Sequence, residues 1–186
     1  MNSDPEVLEI EVKEIELFNP KTSEIYTIPN VFLKLKHTLV SISKWEAKYH
    51  KPFISRVSHT VPETIDYIRF MNIGNDVDDI VYNNLGLSNY KKIEEYISDS
   101  MTGTTINRKN QKGSREVLTS EVIYAYMFIN NIPKECESWH LNRLLTLIDV
   151  CSIKNNPNQK KMSAKDITAQ YAAINKQRRA ALGTKG

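Results

Sequence analysis

The chain has 186 residues but only two cysteines, Cys136 and Cys151, and this scarcity excludes a disulfide-stapled scaffold of the kind that small secreted domains use. No stretch reaches the roughly 18 continuous apolar residues of a membrane-spanning helix. The opening, MNSDPEVLEIEVKEIEL, is acidic and alternating, unlike a secretory or transit leader, so the expectation is a soluble protein of a reducing cytoplasm. Its six glycines never cluster, and Gly103 and Gly113 lie ten residues apart with no GK[ST] behind them, which excludes a phosphate-cradling loop. There is no G-x-S-x-G elbow, no H-E-x-x-H and no C-x-x-C.

What is present is ordinary globular material, 40% hydrophobic and 25% charged, enough for one main domain. The net charge of +3 conceals an uneven distribution. Residues 1–28 hold seven acids against two lysines, whereas residues 154–186 hold eight bases against Asp166 alone. The basic end carries a single aromatic, Tyr171, and so lacks the stacking platforms of single-strand nucleic-acid binders. A solvated helix, or one that docks on an acidic partner or on the acidic N-terminus, fits it better.

The hydrophobic pattern predicts an α+β, mainly α-helical protein: a small N-terminal antiparallel β-hairpin or three-stranded sheet, then a helical bundle, then a basic C-terminal helix. Leu8, Ile10 and Val12 alternate with charged residues, and Ile15 and Leu17 continue the alternation out of phase, which predicts a bend near Lys13–Glu14. NPKTSE is turn chemistry, and IYTI and VFLKLKH supply further strands. From Thr38 the period becomes helical, through Leu39, Ile42, Trp45 and Tyr49, with Pro52 expected to end the helix. Thr60 and Glu63 form a capping box with Pro62 in the first turn, opening a second helix. Shorter helices are expected around DVDDIVYNNLG, stopped at Gly86, and SNYKKIEEYISD.

Residues 99–118 interrupt the helices with Thr, Ser, Gly and the bases Arg108, Lys109, Lys112 and Arg115, which reads as a mobile basic loop open to a partner. SEVIYAYMFINN and SWHLNRLLTLIDVCSI follow, joined at Asn131–Pro133, and their broad apolar stripes predict an antiparallel helix pair at the centre of the core. The divisions expected are therefore a β-rich segment at 1–36 packed on the body, a helical core at 37–153 and a linker with a basic helix at 154–186.

Reactive-looking residues gather at 136–151, where Cys136 and His140 are four apart, half of a zinc site if one helix holds both. His140 and Cys151 are eleven apart, roughly 16 Å along a helix axis, too far to share an ion. The spacing specifies no metal site and no nucleophile with an orienting acid. His140 is expected to pack or hydrogen-bond near the helix start, and Arg143 to pair an acid. The paired carboxylates Asp78–Asp79 and Glu94–Glu95 point in different directions on a helix and read as solvated faces. The chain is expected not to be an enzyme.

LKLKHTLVSISKWEAKYHKPF (33–53), MTGTT (101–105), SWHLNRLLTLIDVCSIKN (138–155) and KKMSAKDITAQYAAINKQRRAALGTKG (160–186) together resemble a family of small proteins encoded in the tail-gene region of tailed bacteriophages, connected with tail assembly chaperones. That resemblance implies a non-enzymatic protein without cofactors, acting in the bacterial host cytoplasm and absent from the mature virion. It would coat the tape-measure protein, help recruit major tail (tube) subunits, and be made in a short and a frameshifted longer form. A homo-oligomer would be compatible, with neither a membrane nor nucleic acid as partner. A tape-measure helix would lie in an apolar groove flanked by charge. The candidate contact residues are Trp45, Tyr49, Tyr124, Tyr126, Arg108, Lys112, Lys176, Arg178 and Arg179, with burial in the core the competing reading for Trp45. Two alternatives stand beside the chaperone: a structural minor tail or neck component, and a nucleic-acid binder using the basic tail.

The C-terminal stretch SAKDITAQYAAINKQRRAALG has Ser163 as a cap, Arg178 and Arg179 near its end, Gly183 as a stop and a thin apolar seam. Such a helix is marginal alone and is expected to order on a partner or by self-association.

Overall fold

The computed structural model describes residues 4–54, 58–106, 116–155, 168–169, 171–176 and 178. The chain divides into two compact units, Met1–Ser152 and Ile153–Gly186. The architecture is α+β and mainly helical, with a small antiparallel β region ahead of the helices.

The β region is built by one long ribbon rather than a three-stranded sheet. Strand β1 (Leu8–Val12) pairs antiparallel with β4 (Val31–Leu35), and β2 (Ile15–Asn19) pairs antiparallel with β3 (Glu24–Ile28). The two halves meet at Lys13–Glu14 and Pro29–Asn30, where the bend expected near Lys13 falls. Asn30 holds that bend: its Oδ1 accepts from the Glu14 backbone N–H at 2.7 Å, and its Nδ2 donates to Glu11 Oε1 at 3.0 Å.

In the near half, Ile10, Val12, Leu33 and Leu35 turn inward and are buried, while Glu9 and Lys34 face water as an ion pair. This is the period-two pattern of a sheet with one wet face. In the far half β2 keeps a weaker alternation, with Ile15, Leu17 and Asn19 partly buried and Glu16 and Phe18 exposed, and β3 keeps none. Every residue of β3 except Ile28 is exposed.

Helix α1 (Leu39–Tyr49) is the hub of the core, packing against α2 (Val61–Met71), α5 (Ser120–Ile129) and a short 3-10 helix at Lys134–Ser138. Thr38 caps it reciprocally with Ser41. It stops before Pro52: His50 adopts a left-handed conformation with φ 53° and donates its N–H to the Glu46 carbonyl. α2 starts at the Thr60–Glu63 capping box, with Pro62 in its first turn. α3 (Asp79–Asn83) ends before Gly86, which serves instead as the N-cap of α4 (Leu87–Ser98).

The expected antiparallel pair at the heart of the core is replaced by this arrangement around α1. α6 (Leu141–Asn155) adds Leu141, Leu144 and Ile148 to the core, and it begins too late to include Cys136. The reason is the 3-10 helix, which carries Cys136 and is followed by an extended Trp139. Cys136 is buried on the 3-10 helix while His140 precedes α6, so one helix does not hold both as a half-site for zinc.

Of the 99–118 interruption, residues 99–106 and 116–118 form no helix or strand, and 107–115 lie outside the described residues. In the second unit the described residues between 168 and 178 are helical, and Ser163, Arg179 and Gly183 lie outside them. Among the described residues no helix is long and apolar enough to cross a membrane.

Candidate functional site

The residues best suited to chemistry lie inside the molecule. His37, at the end of the ribbon, and His140, ahead of α6, are 3% and 0% exposed, with ring centroids 5.1 Å apart. The His37 ring nitrogen Nδ1 is hydrogen-bonded to the Tyr67 hydroxyl, and the Tyr96 hydroxyl accepts from the His37 backbone N–H at 3.1 Å. The same Tyr96 hydroxyl donates to the Glu6 carbonyl at 2.6 Å, and His140 Nε2 lies 3.2 Å from the Tyr96 carbonyl.

The Glu6 carboxylate completes the cluster. It accepts from the His140 backbone N–H at 3.2 Å, pairs with Arg143 and lies 3.5 Å from Lys36 Nζ. Burial works to raise its pKa, but Arg143, the His140 N–H and Lys36 outweigh burial and hold it below the usual range. Burial pushes His37 down to about 3, helped by His140, and pushes His140 down as well. Both imidazoles are therefore neutral at pH 7. The network ties the N-terminus, the ribbon, α2, α4 and α6 together, and its histidines have almost no surface to offer a substrate.

A second internal clamp centres on Glu46 of α1. Its Oε1 accepts from the Phe53 N–H and its Oε2 from the Ser120 N–H, both at 2.7 Å, so one buried carboxylate fixes the turn after α1 and the first residue of α5. Glu46 also lines a shallow cleft of about 280 Å³ with Ala47, His50, Lys51, Pro52, Thr119 and Glu121. In that cleft the Glu46 carboxylate is already spent on backbone donors. Asp66 forms a third clamp, taking Lys48, the Tyr49 hydroxyl and Arg69. Among the described residues no group of three or more His, Cys, Asp or Glu side chains could hold a metal ion.

The candidate contact residues are scattered. Trp45 is 0% exposed, its indole N–H donating to the Glu63 carbonyl at 2.9 Å and its ring packed on Tyr49, Phe53 and His59, so it is a core residue and corrects its assignment as a contact. The cause is its place on the inner stripe of α1, the hub helix. Tyr49 is half-buried, with its hydroxyl tied to Asp66, a bond that raises its pKa to about 12. Tyr124 and Tyr126 lie partly exposed on α5, bonded through their hydroxyls to Glu137 at 2.9 Å and Glu116 at 2.5 Å. Lys176 and Arg178 are exposed on the helical part of the second unit, whereas Arg108, Lys112 and Arg179 lie outside the described residues.

Around the two tyrosines lies a surface that the sequence pattern did not mark as a site. α5 reads SEVIYAYMFI and is apolar on nearly every side, yet only Ser120, Ile123 and Met127 are buried. Phe128 and Ile129 are 74% and 72% exposed, and Val117, just before the helix, is 57% exposed. A helix apolar all round belongs in an interior, and this one has a single covered stripe. The sequence shows the missing polar face, which is equally the pattern of a core helix.

Searches of protein-family models, curated proteins and solved structures give no match to this chain.

Proposed function

We propose that this chain is a non-enzymatic assembly factor that shields an apolar helix of a partner, and specifically a phage tail assembly chaperone that binds the tape-measure protein and helps recruit tube subunits. The observation that carries the protein-binding part is the outer side of α5, where Phe128, Ile129 and the faces of Tyr124 and Tyr126 leave an apolar strip uncovered beside a well-filled core. Large apolar side chains left exposed together on one helix are candidates for an interaction site. The tape measure as partner rests on the resemblance of the 33–53, 101–105, 138–155 and 160–186 motifs to the tail-gene family.

An amphipathic partner helix laid along α5 would bury Phe128 and Ile129 in exchange for its own apolar stripe. Fully covering two such side chains is worth about 1.5–3 kcal/mol each. Lys176 and Arg178, exposed and cationic on the second unit, suit acidic groups of a partner. The host cytoplasm, as the place of assembly, belongs to the same proposal.

The test is co-expression of this chain with the tape-measure and tube proteins of its own gene neighbourhood, followed by pull-down. Recovery of a soluble tape-measure complex, lost on Phe128→Glu while helix content by circular dichroism is unchanged, is the expected result. An unchanged complex with Phe128→Glu and Ile129→Glu combined refutes α5 as the surface. Abundant chain in purified particles turns the reading to a minor tail or neck component, and capture of nucleic acid with a steep salt dependence turns it to a nucleic-acid binder.

A further inference from the structure

The far half of the ribbon stands apart from the surfaces used above. β2 and β3 pair with each other and, among the described residues, with no third strand, so each leaves one edge of backbone N–H and C=O groups open. Proteins guard such edges with lysines, prolines and charges within the strand. β2 has part of that protection: Glu16 is its second residue, Glu14 precedes it and Pro20 follows it, as Pro29 follows β3. β3, Glu-Ile-Tyr-Thr-Ile, has one charge, at its first position, and no lysine or proline. Its faces are bare as well, with Ile25 68% exposed, Tyr26 46% exposed and the cross-strand neighbour of Ile25, Phe18, 63% exposed.

We infer that β3 is a self-recognition edge, on which a second copy of this chain adds its own β3 antiparallel about a twofold axis through Tyr26. The register argues for this occupant. Centred on Tyr26, the pairing sets Glu24 opposite Ile28 of the second copy and Ile25 opposite its Thr27, so no two like charges face each other. The observed pairing of Leu17 with Tyr26 extends across the axis into a row of Leu17, Tyr26, Tyr26 and Leu17 on one face. Phe18, Ile25 and Thr27 of the second copy line up on the other face, and the same row repeats by symmetry. Ser23, at φ 56°, and Pro29 bound the paired segment at its two ends.

The stretches outside the described residues that are long enough to pair, NRKNQKGSR at 107–115, NPNQKKMSAKDI at 156–167 and RAALGTKG at 179–186, contain no alternating apolar run. The product of self-pairing is a four-stranded sheet joining two ribbons, with the α5 surface of each copy left unused. This inference therefore stands or falls apart from the chaperone reading.

The test uses the full chain. Sedimentation equilibrium from micromolar to near-millimolar concentration is expected to show a monomer–dimer equilibrium. Tyr26→Lys, which places two ammonium groups opposite each other at the axis, is expected to weaken the dimer at least tenfold, with circular dichroism checking that the helices persist. Residues opposite each other in an antiparallel pair have Cα atoms about 4.5–5.5 Å apart, within disulfide reach. Tyr26→Cys should then cross-link to a dimer under mild oxidation, and an equimolar mixture of Ile25→Cys and Thr27→Cys should cross-link more than either alone. The wild-type chain is the blank for Cys136 and Cys151. A monomer at every concentration overturns the inference, as does a dimer that folded Tyr26→Lys leaves intact or one that Leu17→Cys cross-links as readily as Tyr26→Cys.

Discussion

The buried histidine pair gives the stability of this protein a defined response to acid. His37 is pushed down to about 3 by burial and by His140, against an ordinary value of 6.5. A histidine whose folded-state pKa is depressed stabilises the native state at pH values above its unfolded pKa, and that stability is lost as pH falls, because the unfolded chain takes up the proton first. Between pH 7.5 and pH 5 this linkage removes about 2 kcal/mol through His37 alone. His140, also depressed, adds to the loss in the same direction. Glu6, held below its ordinary 4.5, contributes mainly further down, as pH falls through 4.5 and toward its folded value. Against a typical total of about 5–15 kcal/mol, the His37 contribution is large. The assay is urea unfolding at pH 7.5 and pH 5 for the wild type and for His37→Asn, whose side-chain amide can replace Nδ1 as the partner of Tyr67. The variant is expected to lose about 2 kcal/mol less than the wild type over that interval. An equal loss in both proteins refutes the argument that His37 is forced neutral by its surroundings.

Other substitutions probe the remaining supports. Glu46→Gln turns one of two backbone acceptors into a donor facing a donor; the lost charge-assisted bond and the stranded N–H cost about 3 kcal/mol, or roughly 6–12 °C in Tm by calorimetry. Trp45→Ala empties the centre of the aromatic cluster and is expected to cost about 3–5 kcal/mol in denaturant unfolding. Thr60→Ala, which breaks the reciprocal cap of α2, is expected to cost about 1 kcal/mol in the same experiment.

Local signals carried much of the fold. The alternation of Leu8, Ile10 and Val12, the phase change at Lys13–Glu14 and the Thr60–Glu63 box are each decided within a few residues, and the structure keeps all of them. Gly86 shows where local signals become ambiguous: glycine suits a helix stop and a helix start, and α4 uses it as a start. The 3-10 helix at Lys134–Ser138 gave no periodic signal because five residues are too few to show one.

The clamps were not legible for a different reason. Glu6 meets Arg143 and the His140 N–H across more than a hundred residues, and Glu46 reaches Ser120 across 74. No spacing rule encodes such contacts, which depend on the assembled packing. Trp45 illustrates the same limit, since its helical period is the same whether its stripe faces the core or a partner, and only the position of α1 between α2 and α5 decides for the core. The α5 surface and the bare edge of β3 left traces in the sequence, as an apolar helix without a polar face and a strand without gatekeeping charge. Neither is a chemical motif, and each gains meaning only when the structure leaves it uncovered.

The proposed binding of an assembly partner is tested by co-expressing this chain with the tape-measure and tube proteins proposed as its partners and analysing both the soluble complexes and purified particles by mass spectrometry. A soluble complex with the tape measure that Phe128→Glu disrupts, and no signal from this chain in the particles, is the expected result. A tape measure that remains insoluble and unbound, with this chain abundant in the particles, would contradict it.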